Sequence, residues 1–460
     1  MVKSGKYILS FLFIPVAVLW CSAVQAEPVL NGEIQDLSLE AAEKNVLETQ
    51  IAQGFGGIKE IPFSARKGTK PEGDIRVGRF EIYPSAGISY SYDDNIFLEA
   101  DQNFSDGSFE SPTSDSIYIL KGSLGVSKEL KAGDAWGFNF FYEAQDENFV
   151  KTDRENFLQH DLDTQVTLAG LGGRTQISLF WNILNTTDIP SSEFASNFNP
   201  RSEHTVTELG ERFRWALTPR TLLSLDGEIE MDRFETNSLQ GEDKNDFIAS
   251  ASVLWAWTTL TSFGMSLDYE NTHYTAPQTT NADTKLYGFF VIAKFEPSAL
   301  VSGDLGIGYQ KRFVSGGGNS REGFSYKMNL AYDMSDRTRF VLSGERSIQD
   351  STFSTVAVHT ATALNIAWEQ QWPMFPKIGT RVLFGFSNLD YDEAIADNIN
   401  GGGAIKNRSD DITNAGFDLI YDIQKWLKVE LEFLRIENSS NFDSLDYTSN
   451  VLTLSAAAVF

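Results

Sequence analysis

The chain of 460 residues has a single cysteine, Cys21, and only four histidines, His160, His204, His273 and His359. One thiol excludes an internal disulfide framework and a cysteine-built metal centre, and the scattered histidines supply no local zinc pattern. None of the four lies in an HExxH or GxSxG setting, so no catalytic residue, cofactor or metal is expected. Basic residues are also scarce. Against 63 Asp and Glu stand 37 Lys and Arg, a formal charge of −26, which argues against nucleic acid as a partner. Beyond the first 20 residues no apolar run is long enough for a transmembrane helix. No repeat of 20 to 50 residues marks a solenoid or propeller.

What is present begins with Lys3 and Lys6 ahead of an apolar stretch from Tyr7 to Leu19, then Val24-Gln25-Ala26. That order of charge, apolar core and small-residue site predicts a secretory signal peptide over 1–26. Cys21 could instead be a lipidated N-terminus, but Trp20 sits where a lipoprotein signal wants a small residue. Cleavage after Ala26 would remove the only cysteine and both leading lysines, leaving 35 basic against 63 acidic residues, or −28.

From Phe80 onward the chain divides into about eighteen strand-like segments with period-2 patterning. Leu223, Leu225, Ile229 and Met231 alternate with Ser224, Asp226, Glu228, Glu230 and Asp232; Phe324, Tyr326, Met328, Leu330 and Tyr332 alternate with Ser325, Lys327 and Asn329. Connections alternate as well. Brief ones, such as Lys131 to Ala135, Thr218 to Arg220 and Ser335 to Arg337, are separated by long polar ones, of which Asp93 to Thr113, Asn185 to Arg201 and Tyr391 to Arg408 are the longest. A sandwich would not sort turn length this way, whereas an outer-membrane barrel has short periplasmic turns and long extracellular loops. The fold class expected is therefore all-β: a transmembrane antiparallel β-barrel of about 18 strands over 80–460. The mean hydropathy of −0.23 fits a wall with one apolar and one wet face.

Tryptophans 136, 215, 257, 368, 372 and 426 lie near the short turns, while Tyr92, Tyr142, Tyr269, Tyr274, Tyr309, Tyr326, Tyr391 and Tyr447 lie toward the long loops. Two aromatic girdles are expected. Residues 27–79 lack the pattern and read as a periplasmic extension with a short helix capped by Ser38. The chain ends NVLTLSAAAVF, an alternating strand closing on Phe460. A terminal aromatic there resembles the signal read by the barrel assembly machinery.

The first strand region, GRFEIYPSAGISYSYDDNIFL, with Tyr92-Asp93-x-Asn95-Ile96-Phe97 at its end and Ser114-Asp115 before the next strand, resembles a family of outer-membrane β-barrel porins. Members are often encoded with exopolysaccharide biosynthesis and export machinery. The resemblance implies a channel for exopolysaccharide export, with periplasmic polysaccharide export proteins as partners beside outer-membrane lipid and lipopolysaccharide. The fold alone also allows a diffusion porin for small hydrophilic solutes, and an outer-membrane hydrolase is a third reading. From the residues themselves, Asp93 and Asn95 cap a turn with their side chains, or hold a cation or sugar.

Alternation sorts inward charges by height. Arg212, Arg214, Lys294, Arg339, Arg381 and Lys428 fall near short turns, giving a basic periplasmic mouth. Glu143, Asp226, Glu228, Glu230, Asp232, Asp268, Glu270 and Glu345 lie nearer the long loops, giving an acidic outer vestibule. Either the charges balance locally on a hydrated wall, or they form a basic entrance and acidic exit for an anionic polymer.

Overall fold

The computed structural model describes residues 75–98, 112–130, 134–170, 173–188, 202–235, 243–275, 282–295, 300–315, 320–351, 358–396, 405–442 and 445–460. The expected signal peptide, the helix after Ser38 and most loop tips lie outside these. A three-residue strand, β1 (Ile75–Val77), precedes β2 (Phe80–Asp93), β3 (Asp115–Lys128), β4 (Trp136–Phe149), β5 (Phe157–Gly170), β6 (Thr175–Asp188), β7 (Ser202–Thr218), β8 (Thr221–Phe234), β9 (Lys244–Ala256) and β10 (Thr261–Tyr274). Then come β11 (Thr284–Phe295), β12 (Val301–Val314), β13 (Arg321–Ser335), β14 (Thr338–Asp350), β15 (Val358–Gln371), β16 (Ile378–Ala396), β17 (Ile405–Gln424), β18 (Leu427–Ser440) and β19 (Tyr447–Val459).

Each strand from β2 to β19 pairs antiparallel with the next, and β19 returns to β2, with Val451 opposite Asp93 and Val459 opposite Ser85. The result is a closed barrel of eighteen strands. Closure leaves no unpaired edge among these strands, which is the condition for a sheet to sit in hydrocarbon. Phe460 lies one residue past β19, donates its N–H to the Pro84 carbonyl at 2.9 Å and stacks on Trp426. Pro84 sits just beyond the last rung of that ladder, where a missing N–H removes no bond. β1 folds back on β2, with Val77 opposite Phe80 across the positive-φ Gly78.

Short turns all gather at one end of the barrel, with β1 and Phe460, and long loops at the other. Strands of 12 to 20 residues exceed the 9–11 needed to cross a bilayer, so the long-loop ends project. Large apolar side chains cover the outside: Met265, Leu267, Val291, Ile307 and Phe384 are each about half exposed. Trp136, Trp257, Trp372 and Trp426 ring the short-turn end, and Tyr90, Tyr92, Tyr118, Tyr287 and Tyr309 stand toward the other. Tyr391 and Tyr447 correct the expected upper girdle. Both share the parity of inward residues and are almost fully buried inside the barrel.

Inside, close approaches fix some inward positions. Phe290 lies across β12, where a Cβ on Gly308 would come within 2.1 Å of the Phe289 carbonyl and 2.6 Å of the Phe290 ring. Glycine is what lets that ring lie flat against the wall.

Candidate functional site in the barrel lumen

The inward residues build two unlike walls. On β5 and β7 to β10 they include ten carboxylates, Asp161, Asp163, Glu208, Asp226, Glu228, Glu230, Asp232, Asp246, Asp268 and Glu270, at successive rungs on β8. The β7–β8 ladder sets Glu208 opposite Glu230, and carboxylate oxygens of Glu208, Glu228 and Glu230 lie within 4.8 Å of one another. Glu208 also feels the charges of Asp161 and Asp163 on β5. Basic partners are interspersed: Lys244 meets Asp246 at 2.9 Å and Glu230 at 3.9 Å, Lys327 meets Asp268 at 3.6 Å, and Lys121 meets Glu143 of β4 at 4.0 Å. Among the described residues the Glu208, Glu228 and Glu230 group is where a divalent cation would find three carboxylates together; charge alone does not make it a metal centre.

The opposite wall, on β14 to β19 and continuing to β2, is closely packed. Arg381 bonds Asp418, whose side chain is fully buried, and Arg408 meets Asp410 at 2.6 Å while stacking over Tyr391. Nearer the long loops Leu98 packs on Ile412, Leu434, Ile436 and Tyr447, and Ile96 packs on Ile117 and Phe149. The chain after β2 thus turns into the lumen.

The Tyr92-Asp93-x-Asn95 motif makes that turn. Asn95 donates its N–H to Asp93 Oδ1 at 2.8 Å and its amide to the Thr448 carbonyl at 3.0 Å, while Ser449 Oγ donates to the same Asp93 oxygen. Asp94 accepts from the backbone and side chain of Asn450. Leu98 takes a left-handed φ of 52°, a strained choice for a branched side chain offset by its burial. Tyr92 remains outside. The capping role of Asp93 and Asn95 is what the geometry displays. Asp115 does the same for the next loop, accepting from the N–H groups of Ser116, Lys151 and Thr152.

The six basic positions all point inward in the half nearer the short turns, but several are neutralised in place. Arg214 meets Asp226 at 2.7 Å, Arg339 meets Asp333 at 3.7 Å, and Arg381 holds Asp418. Arg212 lies over the Phe180 ring, Lys294 stands on the rung of Asp304, and Lys428 on that of Asp422. The eight acidic positions also face inward. Asp226, on the rung of Arg212, holds Arg214, so the basic and acidic bands meet in a salt bridge instead of standing apart. Asp232 is bonded by His204 at 2.7 Å, Glu270 by Arg312 at 3.0 Å, and Glu345 stands opposite Lys327.

Glu208, Asp161, Asp163, Asp246 and Arg312 were not singled out by sequence. Parity alone could have found Glu208, since it shares the inward row with Arg212 and Arg214. The histidines have local partners: His160 with the Tyr142 hydroxyl, His273 with Asp283, His359 beside the Tyr391 ring.

A closed eighteen-strand barrel with an apolar belt outside, a charged lumen and turns sorted by length is an outer-membrane β-barrel of the porin class. Residues 270–460 match the family described as putative beta-barrel porin 2, so the expected porin resemblance holds over that stretch. The first-strand motif that suggested it lies outside the match. No curated protein matches the chain. Similar solved structures include the outer membrane protein OpdK of Pseudomonas aeruginosa, at 9% identity over 82% of this chain and 99% of that one, TM-score 0.45. OpdL of Pseudomonas aeruginosa is similar at 12% identity over 84% and 100%, TM-score 0.44. The closed ladder, and not these likenesses, defines the fold.

Proposed function

We propose that this porin is a diffusion channel for small hydrophilic solutes with a preference for cations. The observation that carries it is the carboxylate wall of β5 to β10, centred on Glu208, Glu228 and Glu230. Fixed charge of one sign beside a low-dielectric wall concentrates counter-ions and repels co-ions. In planar bilayers under a KCl gradient near 0.1 M, the reversal potential should report cation selectivity. Glu208→Gln, Glu228→Gln and Glu230→Gln combined should lower the cation-to-anion permeability ratio several-fold at that salt. The effect should shrink at 1 M, where the screening length is about 3 Å. Anion selectivity in the unaltered protein would overturn the reading.

Export of an anionic exopolysaccharide is the second reading, supported by the family resemblance and by the basic side chains gathered at the periplasmic half. The ion pairs of Arg214, Arg339 and Arg381 weaken it, because a charge already neutralised draws a polymer less. Reversing Arg212, Arg214 and Arg339 to Glu should leave polymer secretion by intact cells unchanged if the diffusion reading holds. Reduced secretion with normal barrel assembly would favour export.

A further inference from the structure

The ladder between β13 and β14 stops early. It runs from Ser335 and Thr338 only as far as Tyr326 and Arg346, although β13 extends back to Arg321 and β14 on to Asp350. Beyond the split, β13 stays with β12, Arg321 opposite Arg312, and β14 stays with β15, Asp350 opposite Val358.

Side chains replace the missing rungs, and they come from the inner face of β12. Gln310 Oε1 accepts from the Ile348 N–H at 3.2 Å and from Ser325 Oγ at 2.9 Å. Arg312, itself buried, donates Nε to the Ile348 carbonyl at 3.1 Å, Nη1 to Asp350 Oδ1 at 2.6 Å and Thr284 Oγ1 at 2.9 Å, and Nη2 to Glu270 Oε1 at 3.0 Å. Ile348 and Asp350 share the parity of the outward-facing Phe340. An outward residue of β14 can meet an inward residue of β12 only if the end of β14 has passed inside its neighbours. Arg321 repeats the relation, reaching from the inner row of β13 to the carbonyl and Oδ2 of Asp390 on β16, at 2.7 and 3.0 Å. Asp390 has the parity of the outward Phe386. Ile348 and Thr360, which by parity should face outward, are buried.

We propose that the long-loop ends of β14 to β16 form a lid built into the barrel wall, held in the mouth by Arg312, that widens the channel when it swings back into line with β13. The inference rests on the channel reading for its consequence, not for its motion. Two arrangements compete for these strands. Extending the present register would set Ser325 opposite Ser347, Phe324 opposite Ile348 and Glu322 opposite Asp350, regaining backbone rungs and returning Ile348 to the apolar outer row. That state opposes two carboxylates across a rung, which is unfavourable, and gives up the Arg312 contacts. The infolded state keeps the contacts and gives up the rungs.

Oxidative cross-linking of Phe324→Cys with Ile348→Cys, in the full chain with Cys21→Ser, reports the aligned state, since opposed residues of adjacent strands lie within disulfide reach. Leu330→Cys with Leu342→Cys, an existing rung, is the control. We expect slow cross-linking of the first pair, accelerated roughly tenfold by Arg312→Gln, equivalent to about 1.4 kcal/mol, and a larger single-channel conductance in the cross-linked form than after reduction. Failure of the first pair to cross-link with or without Arg312→Gln, while the control pair does, would overturn the lid. So would an unchanged conductance after cross-linking. A barrel silent in bilayers whose cross-linking still responds to Arg312→Gln would sink the channel reading and leave the motion established.

Discussion

The two walls of the lumen obey the same alternation and use it differently. On β5 to β10 the inward row is rich in carboxylates, most of them partly exposed and two, Asp232 and Asp246, buried, with a few lysines and arginines between them. On β14 to β19 they are buried pairs such as Arg381–Asp418, small residues such as Ala361 and Ala363, and the apolar seat for Leu98. A polar inner face is thus not one kind of surface. On one wall the most buried charges, Arg381 with Asp418 and Arg408 with Asp410, stand as close pairs; on the other, Glu208, Glu228 and Glu230 stand together as like charges.

That contrast should be visible in stability. Arg381→Gln leaves Asp418 buried and without its partner, and should cost about 3–5 kcal/mol, read as a shift in urea unfolding of the barrel in detergent or lipid. Restoring balance with Asp418→Asn in the same chain should recover much of the loss; no recovery would mean that packing and not charge holds that wall. Leu98→Ala removes the buried anchor of the turn after β2 and should cost about 2–5 kcal/mol, read in the same unfolding measurement. On the other wall, Arg214→Gln breaks a half-buried pair less enclosed than Arg381–Asp418 and should cost about 1 kcal/mol, near the upper end for exposed pairs. A loss as large as that of Arg381→Gln would erase the distinction.

Most of the barrel was legible in the sequence, because lipid outside and water inside impose period 2 on every strand, and turn length imposes a direction. Phe80 as the first barrel strand, eighteen strands and the pairing of the last with the first all follow from those two constraints. Inward residues were legible for the same reason. What they touch was not. Tyr391 and Tyr447 looked like girdle residues since distance from a turn is readable and parity near a strand end is easily misjudged. The pairing of Arg381 with Asp418 depends on two strands meeting 37 residues apart, and the inward turn after Asp93 depends on Thr448, Ser449 and Asn450 at the far end of the chain. The early end of the β13–β14 ladder leaves a trace in the sequence, since the outward row turns from Phe340 and Leu342 to the charged Arg346 and Asp350 on β14 and to Glu322 on β13. Charge at a strand end, however, reads equally as the start of a loop.

The seam between β19 and β2 has a consequence for the order of events. Every other ladder of the barrel joins segments that neighbour one another along the chain and can zip as hairpins. The seam joins Ser91 to Thr453, hydroxyl to hydroxyl at 2.9 Å across 362 residues, so it cannot form until the whole chain has been made and delivered. It carries nine rungs, as few as the split β13–β14 ladder. The molecule is in this sense a ribbon with one buckle. Until the buckle shuts, β2 and β19 each present a bare edge that must be kept from water, lipid and other chains by something outside the chain itself.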